Sequence, residues 1–228
     1  APNMPINFTA QWTLPAPLAQ GAEARGLLLL GPPGAESAIQ IPVRLHHDAG
    51  AVETVSLIAT DDARIFAGFP AARFGSYKHL HVGANDTSRA VMRFDLSALP
   101  ADAQITRATL RLYVDAFGGG GSPADLAAYR LTTDWAEGSV TWNAPWTKKG
   151  GDFEEPPVSA RVSKADVGKF VELEVTPWAQ AWAADPAANR GVILRLINQT
   201  SFTYYRLPGG EYWTPAQAPT LDLQYSRP

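Results

Sequence analysis

The chain has 228 residues, 19 basic and 22 acidic, and a net charge of −3, which leaves no electrostatic footprint for nucleic acid or acidic membranes. It has no cysteine, which excludes disulfides, thiolate metal sites and cysteine nucleophiles together. No apolar run approaches the ~20 residues that span a bilayer, and a chain of this size buries a core without staples, as one large all-β domain or one domain with an appendage.

Residues 6–14 come first, and they alternate strictly. Ile6, Phe8, Ala10, Trp12 and Leu14 take one face of a strand, and polar residues take the other. Pro15, Pro17 and Gly21 follow as a tether. Such a strand needs a groove or a sheet edge, in its own domain or in another molecule. Donated to a second copy, the five apolar side chains act as pegs, and a head-to-tail contact that does not close propagates into a fibre. Folded in cis, residues 6–14 are the first strand of their own sandwich. The chain begins Ala1-Pro2-Asn3, as a mature end left by signal-peptide removal would, so the expected location is extracellular. Sequons at Asn7, Asn85 and Asn198 are weak glycosylation candidates.

A hairpin is predicted next. Residues 23–30 form one arm, Gly31-Pro32-Pro33-Gly34 the turn, and Ile39, Ile41, Val43 and Leu45 alternate along the return arm, where Pro42 marks an edge. Short strands then recur at 55–66, 79–83, 89–96, 105–116, 125–132, 170–176, 191–197, 202–208 and 220–225. In the fourth of these, Ala108, Leu110, Leu112 and Val114 share one face and Arg107, Thr109, Arg111 and Tyr113 the other, the mark of a sheet with one wetted side. Gly118 to Gly121 is read as a mobile loop and residues 142–157 as a long one. The one helix expected runs over 176–185, capped by Thr176, with Pro177 in its first turn and Trp178 and Trp182 on one face. The pattern gives an all-β, jelly-roll-like β-sandwich with one short helix and an N-terminal β-strand arm, divided into an arm and tether (1–21), a hairpin extension (22–54) and the sandwich (55–228).

Several motifs together resemble the DNRLRE family. They are Ala59-Thr60-Asp61-Asp62-Ala63-Arg64-Ile65, the stretch from Gly75 to Gly83, and Arg89-Ala90-Val91-Met92-Arg93-Phe94-Asp95-Leu96-Ser97-Ala98-Leu99-Pro100. They continue with Ile105 to Val114, Trp135-Ala136-Glu137-Gly138-Ser139-Val140-Thr141-Trp142-Asn143, and Val175-Thr176-Pro177 followed by Trp182 and Asn189-Arg190-Gly191-Val192-Ile193-Leu194. The resemblance covers residues 55–225 and implies a sandwich of the kind found in carbohydrate-binding modules for alginate-type polysaccharides. It departs at Phe202-Thr203-Tyr204-Tyr205-Arg206, where no glutamate follows the arginine directly.

Catalytic chemistry finds no anchor. Asp61-Asp62 and Glu154-Glu155 are neighbours that face opposite ways on a strand, and no nucleophile elbow or phosphate loop occurs. His79 and His81 share a face but lack a third ligand. Asp61, Asp62 and Asp95 could join a calcium site, although no loop is dense in acids. No catalytic residue, metal ligand or cofactor is therefore assigned. Near the C-terminus, Tyr204, Tyr205, Tyr212 and Trp213 flank Arg206; flat rings stack on sugars and a guanidinium grips a carboxylate, but one of Tyr204 and Tyr205 must face the core. Two functions follow: first, a secreted structural subunit that polymerises with copies of itself by strand donation; second, a non-enzymatic module that binds an extracellular, alginate-like polysaccharide.

Overall fold

The computed structural model describes residues 23–30, 39–46 and 51–227. The chain divides into two compact units, with the boundary between Ala51 and Val52. In the first unit β1 (Glu23–Leu30) pairs antiparallel with β2 (Ile39–His46), from Glu23 opposite His46 to Leu30 opposite Ile39. Glu23 bridges Arg25 and Arg44 at 2.6 and 2.8 Å. The predicted pegs Ile6, Phe8, Ala10, Trp12 and Leu14, Asn7, and the predicted turn at 31–34 lie outside the described residues.

The second unit is the sandwich. Its strands are β3 (Glu53–Ile58), β4 (Asp61–Phe66), β5 (His79–Gly83), β6 (Ser88–Arg93), β7 (Gln104–Tyr113), β8 (Ala116–Gly119), β9 (Ala124–Arg130), β10 (Val158–Val162), β11 (Phe170–Glu174), β12 (Val192–Ile197), β13 (Thr203–Pro208) and β14 (Thr220–Ser226). Helix α1 (Thr176–Ala184) sits between β11 and β12. An eight-stranded sheet has the order β10-β9-β12-β6-β5-β13-β8, with β4 also paired to β6; a four-stranded sheet has the order β11-β7-β14-β3, and every pairing is antiparallel. The all-β sandwich with one short helix is the architecture the sequence pattern gives.

The main core fills the space between the sheets. Ala108, Leu110, Leu112 and Val114 of β7 and its continuation meet Leu80 and Val82, Leu126, Leu194 and Tyr205 from the larger sheet. On the open face of β7, Arg111 pairs with Glu172 at 3.1 Å and Asp222 at 3.3 Å across neighbouring strands. Trp182 of α1 is 1% exposed and closes the core, with Trp178 partly buried beside it. Val175 rather than Thr176 occupies the helix N-cap. The Thr176 hydroxyl accepts a hydrogen bond from the β7 amide of Ala108 at 2.6 Å, so tertiary pairing takes the group expected to cap the helix.

The predicted strand 55–66 is two strands in different sheets. The chain crosses at Ala59-Thr60, where the Ala59 amide donates to the Pro219 carbonyl at 3.1 Å and the Thr60 amide to the Arg93 carbonyl at 2.9 Å. The Gly118–Gly121 stretch is partly strand, since Ala116–Gly119 pairs with β13. Residues 131–157 build a second core on the outer face of the large sheet. Leu131, Trp135, Val140 and Trp146 pack over Ala63, Ile65, Val91 and Ile193. Both faces of β6 and β12 are therefore covered, so β12 reads as a nearly continuous apolar run and β6 is buried along almost its whole length despite its serine and two arginines. Asp152 anchors the segment by accepting from the Thr147 and Lys148 amides at 2.7 and 2.8 Å and from the Thr133 and Thr147 hydroxyls at 2.8 and 2.9 Å.

Candidate functional site

Alternation on β13 sorts the residues expected near the C-terminus. Thr203, Tyr205 and Leu207 point into the core, leaving Tyr204 and Arg206 on the opposite face. Tyr205 is fully buried, so it is the member of the Tyr204–Tyr205 pair that belongs to the core. On β5, Leu80 and Val82 point inward, and His79 and His81 join the outward face with Arg206 directly opposite His81. The loop after β13 then brings Tyr212 and Trp213 alongside: the His79 ring meets Tyr212 at 5.2 Å and Trp213 at 5.8 Å. Of the five expected residues, Tyr204, Arg206, Tyr212 and Trp213 thus border one surface.

Glycine makes room for this surface. Gly118 of β8 lies opposite Tyr204, and a Cβ at Gly118 would overlap the phenol ring. On its other flank Tyr204 stacks against His81, with ring centroids 5.2 Å apart and planes inclined by 20°.

Sequence reasoning did not single out Arg64, Lys78 or His81 for sugar contact. Arg64 comes from β4 and lies over Phe66 at 4.4 Å and Phe74 at 5.6 Å, while its Nε donates to the Ser88 hydroxyl at 2.8 Å. No carboxylate pairs with it among the described residues. Lys78 likewise lacks an ion pair there and sits 4.9 Å from the Trp213 ring centre. Arg206, by contrast, is bound to Asp115 at 2.6 Å, which also lies 3.6 Å from His79. The exposed rings of Tyr77, Trp213 and Phe202 stand around this ground.

The electrostatics follow from burial and crowding. Burial first, then the charges of Arg64, Arg206 and His79, hold the His81 pKa down to about 4. Burial, with Arg206 adding, also lowers that of His79. Both imidazoles are therefore neutral near pH 7 and sit among guanidiniums that repel a metal cation. Neutral imidazoles can exchange hydrogen bonds with hydroxyls, and an unpaired guanidinium can grip an anion. The surface thus combines exposed rings, neutral hydrogen-bonding edges and a cation without a carboxylate partner among the described residues.

Next to it lies an acidic group. One carboxylate oxygen each from Asp62, Glu137 and Glu211 falls within 4.8 Å of the others. Asp62 is 1% exposed; its Oδ2 accepts from the Gly210 amide at 2.5 Å, its Oδ1 has no hydrogen-bond partner, and its own amide donates to Glu137 at 3.2 Å. Burial pushes the Asp62 pKa up to about 7 against the Gly210 amide, with the charges of Glu211, Glu137 and Asp61 adding to the rise. Of the acids named from sequence for calcium, only Asp62 is in this group. Asp61 faces Arg93 at 3.6 Å and Asp95 accepts from the Ser97 amide at 2.8 Å.

A cleft of about 680 Å³ opens near α1, bordered by Phe94, Leu96, Leu99 and Trp182. Its cation, Arg93, is already held by Asp134 at 2.9 Å and the Trp135 carbonyl at 2.5 Å, which leaves it less free than Arg64 to take an anion. Asn85 and Asn198 are both exposed, and the Asn198 amide donates to Asp125 at 2.6 Å.

A family model described as carbohydrate-binding module family 96 matches residues 53–206. Comparison with curated proteins gives no match. A solved structure described as "Structure of infectious bursal disease virus Gx strain" is 8% identical and covers 87% of this chain, which spans 41% of that one; with a TM-score of 0.16 it carries no structural argument.

Proposed function

The chain belongs to carbohydrate-binding module family 96, and from that premise we propose that it binds an anionic, uronate-containing polysaccharide across the surface formed by Arg64, His81, Tyr204, Arg206, Tyr212 and Trp213. The family is one of binding domains, so no bond is made or broken in this reading. The observation that carries it is Arg64, a guanidinium laid over two aromatic rings with no carboxylate partner among the described residues. Trp213, 65% exposed, offers a stacking face on the same surface, and His81, seated against Tyr204, a hydrogen-bonding edge. The resemblance to the DNRLRE family favours alginate-type polymers, and an extracellular location is part of the same proposal. Strand donation and a filament are not carried into this reading, because nothing described bears on residues 6–14.

Affinity electrophoresis on gels containing polymannuronate, polyguluronate, polygalacturonate or a neutral glucan tests it. Retardation on a polyuronate, weakened by added salt and lost in Arg64→Met, is the expected result. Equal mobility in all gels would remove the proposal.

A further inference from the structure

We propose that Asp62, Glu137 and Glu211 form a calcium-binding site at the base of the loop that carries Tyr212 and Trp213. The three carboxylates come from β4, from the segment after Trp135 and from the segment after β13, yet their oxygens converge within 4.8 Å. No lysine or arginine pairs with any of them among the described residues. An acidic cluster alone means little, but Asp62 adds an independent sign. It is 99% buried and keeps one carboxylate oxygen without any hydrogen-bond donor. A buried carboxylate oxygen left without a partner is costly, and native proteins rarely tolerate one.

The backbone is shaped around that carboxylate. A Cβ at Gly209 would stand 2.8 Å from Asp62 Oδ1 and one at Gly210 3.1 Å from Oδ2, so this close wrapping excludes side chains. The carbonyl oxygens of Tyr77 and Ala59 border the same two glycines, at 3.2 and 3.6 Å from those positions. The donor set is all oxygen, which suits a hard cation rather than zinc. Carboxylates and carbonyls on irregular segments suit calcium, with its 6–8 flexible ligands, better than magnesium, which demands a near-ideal octahedron. A bound ion would tie the Tyr212–Trp213 loop to β4. The site is read from the carboxylates, the unpartnered Asp62 oxygen and the backbone wrapped around it, and does not depend on what the neighbouring surface binds.

The test uses the full chain, freed of metal with EDTA and without polysaccharide. Terbium luminescence excited through Tyr212 and Trp213, calcium calorimetry and thermal unfolding report on the site. Saturable terbium emission displaced by calcium is expected, with unfolding raised by about 5–10 °C at calcium about 100-fold above Kd. The exposed Glu211→Gln should weaken calcium by at least about 10-fold without unfolding the protein, and the isosteric Asp62→Asn should abolish the response. No calcium response in the parent protein would overturn the proposal, as would an undiminished response in both variants or a response to magnesium alone. A calcium response without polyuronate retention leaves this site standing and removes only the sugar reading.

Discussion

Arg64→Met tests the sugar-binding surface through two readouts with one cause. Methionine keeps much of the stem over Phe66 and Phe74 and removes the charge. Ser88 stays satisfied, because its hydroxyl donates to the His81 carbonyl at 2.7 Å whether or not Arg64 is present. Hydrogen bonds to a charged group contribute about 1.5–3 kcal/mol, so polyuronate affinity should fall about 10- to 150-fold while the fold persists. The second readout needs no ligand. Arg64 is the leading charge among those depressing His81, so the His81 pKa should climb from about 4 toward its ordinary 6.5, with the burial contribution remaining. Calorimetry with uronate oligomers and NMR titration of the His81 ring measure the two effects. Unchanged affinity together with a raised His81 pKa would refute the assignment of Arg64 to ligand binding, since the charge would be gone and the ligand indifferent.

Other outcomes follow from the same geometry. Tyr204→Ala should weaken polyuronate binding by about 2- to 13-fold by removing the ring that seats His81, with circular dichroism unchanged, whereas Tyr205→Ala should cost about 3–5 kcal/mol of stability in urea, because that ring is fully buried. Gly118→Val should mimic Tyr204→Ala in binding assays by driving the phenol off its seat. Asp152 should make an acid-sensitive anchor. Burial raises its carboxyl, but two amides and two hydroxyls outweigh burial and bring it down to about 2. A depressed folded-state pKa stabilises above the ordinary 3.8 and loses that contribution as pH falls toward 2, so Asp152→Asn should flatten the acid limb of the unfolding curve in that window.

Strand alternation made much of the sandwich legible. The apolar face of β7 and the inward Leu80 and Val82 of β5 follow from period two alone. Strand β8 escaped because Gly118 and Gly119 carry no pattern, and their absence of side chains is what lets Tyr204 and Phe202 approach. Strand β10 (Val158–Val162) lies between the loop read at 142–157 and the strand read at 170–176 and went unassigned, because Ser159 and Arg161 leave only a five-residue alternation directly after Pro156-Pro157. The break between β3 and β4 is set by where Pro219 and Arg93 present carbonyls, which no local pattern encodes. At the surface, Tyr204, Arg206, Tyr212 and Trp213 were readable as a cluster because they are close in sequence. Arg64 and His81 join them only through sheet pairing. Glu137 and Glu211 meet Asp62 from segments far along the chain, so scanning for a loop dense in acids could not find them.

Asp62 and Arg64 are two residues apart on β4. That is about 7 Å of strand, shorter than the distance of about 8 Å over which physiological salt damps a charge. Occupancy at the acidic triad and occupancy at the guanidinium are therefore thermodynamically linked: a dication delivered to one end of this short rod strengthens the pull on an anion at the other, and the anion returns the favour in equal measure.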